Sequence, residues 1–308
     1  MNIIFSRKGF DSQYGGMPSP ILPDGRLVPL PIPSSRDTFT LAAINIPEVD
    51  IDKLVAQLSN GTHTANSLVH LDPDLNRDPS SRKPGWRPAL GQTGSAQSHL
   101  SAEGVGKGDL FLFFGWFRRV EYQNGTWRYI RSAPHLHVIF GWLEVSDVLP
   151  IVRERSRCIR QYPWIVDHPH VSNPAYYTDP RNTLYVARPT SRLTKLSEFG
   201  GGRFNAHDAR LTLTKPGSSR SIWSLPKWVM PTNQRAPLTY HRNPTLWRRD
   251  GEMVTLKTAP KGQEFVLHAG DYPEASIWLA HLFEDHFPLS SPRGQIPGNA
   301  LEDVRRMG

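Results

Sequence analysis

Apolar residues in this chain arrive in short bursts between polar, proline-rich stretches. The strongest burst, Leu110-Phe111-Leu112-Phe113-Phe114-Gly115-Trp116-Phe117, is continuous rather than alternating. Such a run predicts a fully buried strand, here over 108–117. A second run, rich in Val, Ile, Phe and Trp, predicts a strand over 137–145. Asn124-Gly125 is the turn dipeptide of a hairpin that joins 118–122 to 126–130. Residues 1–50 read as short strands and turns, with Ile3-Ile4-Phe5 opening the first and Pro23-Asp24-Gly25 turning between two others. Short strands are also predicted over 183–187 and 210–214.

Helical spacing appears over 51–58, with Asp50 as cap, and over 95–103. It appears again over 147–162, with Pro150 near the start and a basic outer face, and over 273–287, with a proline in the first turn. Residues 71–90 form a polar, proline-rich loop of a length usually functional or disordered. No repeat and no interdomain linker interrupts the pattern. It predicts an α+β fold, a single domain over 1–290 with a central mixed, mostly antiparallel sheet flanked by helices and long loops. Residues 291–308 form a tail.

Composition sharpens this picture. With 28 Pro and 24 Gly among 308 residues the chain is rich in loops, and its net charge of +8 favours a polyanionic partner, nucleic acid first. The excess is local: residues 203–261 hold eleven Lys/Arg and three Asp/Glu, 11 − 3 = +8. Arg203, Arg210, Lys215, Arg220, Lys227, Arg235, Arg242 and Arg248 are therefore assigned to DNA phosphates, and Trp223 and Trp228 to base stacking. The competing view is a solvated basic surface around core tryptophans. A lone Cys158 makes neither an internal disulfide nor a thiolate zinc site. A cytoplasmic monomer without cofactor or membrane contact is expected, since no run has signal-peptide or bilayer length.

Candidate chemistry begins where the first strand ends. Ser6-Arg7-Lys8-Gly9-Phe10-Asp11-Ser12-Gln13-Tyr14-Gly15-Gly16 packs cations, a carboxylate and a phenol into one bend. Strand ends are where a rigid scaffold presents such groups. Asp11, kept ionised by Arg7 and Lys8, is the first choice for stabilising an oxocarbenium-like centre or orienting water against it, and Asp72 the second. Asp11 closing its own loop onto backbone N–H groups is the structural alternative.

His135-Leu136-His137 and His168-Pro169-His170 would each point two rings to one face of a strand. No His-Glu-x-x-His, no cysteine-based site and no His-x-Asp facial-triad start is read beside them, and no metal is expected. His137, His168 and His170 are instead assigned to a phosphate or base edge, or to a polar core. Gly91-Gln92-Thr93-Gly94-Ser95, leading to His99, enters a helix in a way that favours an anion but lacks the Lys-Ser/Thr of a nucleoside-triphosphate loop.

Several segments together resemble the bacterial and phage family called nucleotide modification associated domain, third type. They are Ser6-Arg7-Lys8-Gly9-Phe10-Asp11 with Gly15-Gly16, His70-Leu71-Asp72-Pro73-Asp74, Gly91-Gln92 with Ser95-Ala96-Gln97-Ser98-His99-Leu100, the 108–115 and 137–141 strands, and His168-Pro169-His170. The similarity runs over roughly residues 1–290. It implies a link to systems that make or attack hypermodified DNA bases.

The leading expectation is a DNA glycosylase that excises a hypermodified base, of the glucosylated hydroxymethyl-cytosine type, from double-stranded phage DNA. The base would be everted into a pocket formed by Arg7, Tyr14, Gln92, Ser95, His99 and the histidine pairs. Lys8 attacking the sugar carbon is a lesser variant. A non-catalytic reader of modified bases is the alternative, since Gly108-Asp109 and Gly141-Trp142-Leu143-Glu144-Val145 are similar to PUA-like barrel modules. A nucleotide-processing enzyme of a hypermodification pathway is the third.

Overall fold

The longest apolar run builds the centre of the molecule. In the computed structural model, which describes residues 1–44, 46–75, 82–194, 199–259 and 262–284, this run opens the strand β6 (Leu110–Gln123). The chain's first strand, β1 (Ile3–Arg7), lies parallel to β6 and pairs antiparallel with β14 (Glu264–Leu267) on its other side. The short β2 (Ser19–Ile21) returns to β6 farther along, matching Ser19 to Phe117, whereas β1 ends with Arg7 opposite Phe114. The opening bend therefore leaves and rejoins the same strand, spanning Gly115 and Trp116.

The predicted hairpin forms between β6 and β7 (Thr126–Tyr129). β6 then pairs antiparallel with β8 (Leu136–Pro150), with a bulge beside Phe113 and Phe114. β8 pairs with β9 (Thr183–Ala187), β9 with β5 (Ala89–Gln92), and β10 (Gly201–Arg203) also pairs with β8. The result is an α+β domain around a nine-stranded mixed sheet with backbone order β14-β1-β6-β8-β9-β5. The two parallel pairings, β1 and β2 with β6, sit among antiparallel ones.

The PUA-like segments, which carried the alternative of barrel elements, lie in an open sheet among the described residues, since no ladder joins β14 to β5. A side-chain hydrogen bond links the two edges: Gln92 Nε2 donates to the Glu264 carboxylate. α2 (Gly94–Ala102) follows β5 directly, and its Gln97 accepts from the Tyr185 hydroxyl of β9.

The remaining elements pack around this sheet. α1 (Ile51–Leu58) starts at Asp50, whose carboxylate accepts from Lys53 N–H as the cap expectation required. The strands β3 (Phe39–Thr40) and β4 (Leu68–Val69) form a two-stranded ribbon. A separate three-stranded sheet, β11 (Ile222–Pro226), β13 (Met253–Lys257) and β12 (Trp247–Asp250), covers one face of the main sheet. Its Trp223 packs edge-on to Phe114 at 5.0 Å. α6 (Glu274–Phe283) closes the described chain, so the end of the predicted 273–287 helix and the 291–308 tail lie outside the described residues.

Three expectations are corrected. Residues 147–150 belong to β8 because they pair with β9, and α3 (Ile151–Gln161) starts only after Pro150. Residues 210–214 form no strand: Asp208 caps a 3-10 turn at Ala209–Leu211, followed by single bridges at Thr212 and Thr214. His168-Pro169-His170 is not extended either, since Pro169 starts α4 (Pro169–Ser172), which leads into α5 (Pro174–Tyr177).

Candidate functional site

The bend that steps off β6 forms one wall of a cavity of about 600 Å³. Arg7, Asp11, Trp116 and His137 line it together with Arg220 and Lys257 from the basic segment. Two contacts close the arrangement: Arg220 donates to Ser12 Oγ at 3.1 Å, and its guanidinium lies 4.1 Å above the Trp116 ring. The bend is rigid. Asp11 N–H donates to Tyr14 O, and Asp11 Oδ1 accepts from the Gln13 and Tyr14 N–H groups, each at 2.7 Å. Gly15 is needed at φ +87°, where a Cβ would stand 2.3 Å from the Phe10 ring.

Electrostatically the cavity is rich in donors. Burial lowers the Arg7 pKa, opposed by Asp11 and reinforced by Arg220. Arg7 Nε is buried and has no hydrogen-bond partner, an arrangement native interiors avoid unless a ligand or water completes it. His137 accepts from Trp223 Nε1 through Nδ1 at 2.9 Å, which places its proton on Nε2. Burial, with Arg7 and Arg220 nearby, holds its pKa down to about 3, so it is a neutral donor. Neutral donors and cations around a single carboxylate suit an anionic, acceptor-rich ligand such as a nucleotide.

A family model described as nucleotide modification associated domain 3 matches residues 2–268. The chain belongs to that family. Membership ties it to nucleotide modification. No curated protein and no solved structure matches it.

Within this family member the predicted residues divide among four places. Arg7, Asp11, His137 and Arg220 meet at the bend, and Tyr14 stands exposed beside them. Lys8, one residue after Arg7, turns to the opposite side of the strand end. There its Nζ pairs with buried Glu264 at 3.1 Å. It neither supports Asp11 nor reaches the bend cavity as a nucleophile. Gln92, Ser95 and His99 line a separate recess of about 440 Å³ with Tyr240 and Glu264.

Asp72 is buried in the fourth place, with His168 Nε2 at 3.3 Å and His70 and His170 Nε2 each at 3.9 Å. Burial alone would raise the Asp72 pKa, but His168, whose Nε2 is the nearest ring nitrogen, holds it well below the usual carboxylate range. Asp72 also lines a narrow cavity with Lys8 and Arg203, of about 70 Å³.

The basic segment is not one groove. All three of its carboxylates are consumed locally, Asp208 by Arg210, Asp250 by Lys215 and Glu252 by Lys227. Arg235 pairs with Glu274, and Arg242 and Arg248 are exposed. The stacking role for Trp223 is corrected, because it is 0 % exposed in the core, and Trp228 packs on Tyr272 and Trp278. Of the two histidine pairs, His135 bonds Trp116 while His137 is buried, and Asp167 pairs with Lys83 on the surface. The two pairs do not come together on one ion, and among the described residues only His170 of the four joins a group that could hold a metal. His70-Leu71-Asp72 is itself a His-x-Asp, passed over in the sequence, and it is this pair that meets His170. Trp116 and Lys257 were also missed. Trp116 looked like core because its run is apolar, and only the bend crossing it leaves its ring at a cavity wall.

Among the described residues no helix is long and apolar enough to cross a membrane.

Proposed function

We propose that this family member is a DNA glycosylase that hydrolyses the N-glycosidic bond of a hypermodified base, of the glucosylated hydroxymethyl-cytosine type, in double-stranded DNA. The observation that supports it best is the meeting of the opening bend with the basic segment at one cavity, through Arg220 and Ser12. The volume, about 600 Å³, is in the range of sites for small ligands and admits an everted nucleotide. Arg7, Arg220 and Lys257 would bind the phosphates flanking that nucleotide, with the Trp116 face beside the base.

In the proposed reaction the bond from C1′ to the base nitrogen breaks with its electron pair leaving on the base. Positive charge grows on the deoxyribose, and water oxygen bonds to C1′. The water gives up a proton, and the base leaves carrying one. Asp11, through the carboxylate oxygen not engaged by Gln13 and Tyr14, would stabilise the sugar cation and orient the water. His137 Nε2–H would donate to a base oxygen, drawing charge toward the leaving group. The products are an abasic site and a free base.

Mass analysis of what leaves glucosylated phage DNA after exposure to the pure protein tests the reading directly. Release of the modified base from glucosylated but not plain duplex is expected. Tight binding with no product on prolonged incubation would instead favour a non-catalytic reader, a reading to which the backbone-bonded Asp11 Oδ1 lends weight. Turnover of free nucleotides alone would point to a nucleotide-processing enzyme.

A further inference from the structure

We propose that His70, Asp72 and His170 bind a first-row divalent transition cation, of which Zn²⁺ is the best fit. The site stands apart from the glycosylase reading and survives or fails without it.

The argument rests on where the ring protons are. Asn182 Nδ2 donates to the His170 carbonyl at 2.7 Å, which fixes the orientation of its amide. Its oxygen then faces His170 Nδ1 at 2.7 Å, so that nitrogen carries the proton. Asp37 Oδ2 accepts from the Tyr176 hydroxyl at 2.7 Å and faces His70 Nδ1 at 3.2 Å, which places the second proton the same way. Both Nε2 atoms are thus lone-pair acceptors, and they face each other across 3.3 Å.

The third acceptor is Asp72 Oδ2, 3.9 Å from each nitrogen. Its carboxylate is oriented from behind, since Oδ1 accepts from Gly91 N–H at 2.7 Å and lies 3.3 Å from His168 Nε2. Gly91 is required here, because a Cβ would stand 2.2 Å from the His170 ring. Three acceptors converging in a site where Asp72 and His170 are nearly fully buried, with no donor among them, repel one another and are costly to desolvate.

A single shared proton would join the two nitrogens and leave Asp72 Oδ2 beyond hydrogen-bond reach. A metal ion satisfies all three. Ligand atoms about 2.1 Å from a tetrahedral ion stand about 3.4 Å apart, close to the separations seen. Each ligand also has the outer partner that metal-bound histidines and carboxylates need: Asp37 for His70, Asn182 for His170, and Gly91 for Asp72. Three protein ligands leave a fourth position, and Asp72 borders the narrow cavity that Lys8 and Arg203 also line. An oxygen ligand, water or an anion, is the group that would complete the shell.

The test uses the full chain, stripped of metal by chelation and titrated with Zn²⁺ by calorimetry and with Co²⁺ by visible absorption. One equivalent of Zn²⁺ with sub-micromolar affinity is expected, and a Co²⁺ band typical of imidazole coordination. His170→Gln and Asp72→Asn should each weaken binding at least 100-fold, and Asn182→Leu, which frees the ring proton, 10- to 100-fold. X-ray absorption of the Zn²⁺-loaded wild-type protein reads the shell without any variant, and two imidazoles with oxygen ligands are expected. No stoichiometric binding by the wild-type chain, unchanged affinity in folded His170→Gln and Asp72→Asn proteins, or a shell without two imidazoles would overturn the proposal.

Discussion

The cavity at the opening bend and the histidine cluster lie on either side of the same strand end, reached by Arg7 and by the Lys8 side respectively. Both hold histidine, carboxylate and cations, yet they leave opposite kinds of group unsatisfied. At the bend the surplus is donors: an unpartnered Arg7 Nε, the His137 Nε2–H, Arg220 and Lys257. In the cluster the surplus is acceptors, the two Nε2 lone pairs and Asp72 Oδ2. Composition alone does not separate the two, because the difference lies in which ring nitrogen holds the proton. A donor surplus calls for an anion and an acceptor surplus for a cation.

The largest effect expected is at the boundary between the regions. Lys8→Met leaves Glu264 as a buried carboxylate without its cation, which costs about 3–5 kcal/mol of stability by urea unfolding. The protein that remains folded should still release modified base at the wild-type rate. If a fully folded Lys8→Met protein were inactive, Lys8 would belong to the chemistry and the division would fail.

Next in size is Asp11→Asn. Asparagine keeps an oxygen for the Gln13 and Tyr14 N–H groups and removes only the charge. Base release should fall about 10²- to 10³-fold with the unfolding midpoint unchanged. Wild-type release by this variant, measured by abasic-site formation, would show that Asp11 only closes its loop.

A smaller effect is expected from pH. The His137 pKa of about 3 in the folded protein lies below the ordinary 6.5. Above about pH 7 the ring is neutral folded or unfolded and adds no slope. As pH falls through about 6.5 the unfolded chain binds a proton that the folded chain does not, so stability is lost progressively down to about pH 3. By about pH 5 this ring alone removes about 2 kcal/mol. His137→Gln should flatten that part of the stability profile, and an unaltered profile would mean that the ring is not held neutral.

The smallest effect is at the mouth of the bend cavity. Arg220→Ala should weaken DNA binding about equally for modified and plain duplex and reduce the salt slope by about one. A loss confined to modified DNA would move Arg220 from phosphate contact to base recognition.

Much of the fold was legible because local rules act without distant partners. The apolar run of β6, the Asn124-Gly125 turn, the Asp50 cap and the apolar segment of β9 each carry their own signal. The failures occur where a distant partner decides. Residues 147–150 stay extended because β9 pairs with them, and Trp223 is core because a second sheet folds onto Phe114. At the bend, Arg7 and Asp11 were visible as a dense polar cluster, whereas Trp116 and Lys257 join them only through the fold.

The chain alone determined an α+β domain, its longest strands, its basic excess and the bend after β1, since each follows from short-range pattern or from summed charge. Only the tertiary structure separated Arg7 from Lys8 across one strand end and brought His70 and Asp72 to His170, 100 positions from the first of them. The physical reason is that ring tautomers and carboxylate orientation are set by Asn182, Asp37 and Gly91. Those hydrogen bonds exist only once three distant segments, two loops and the strand β5, have packed together.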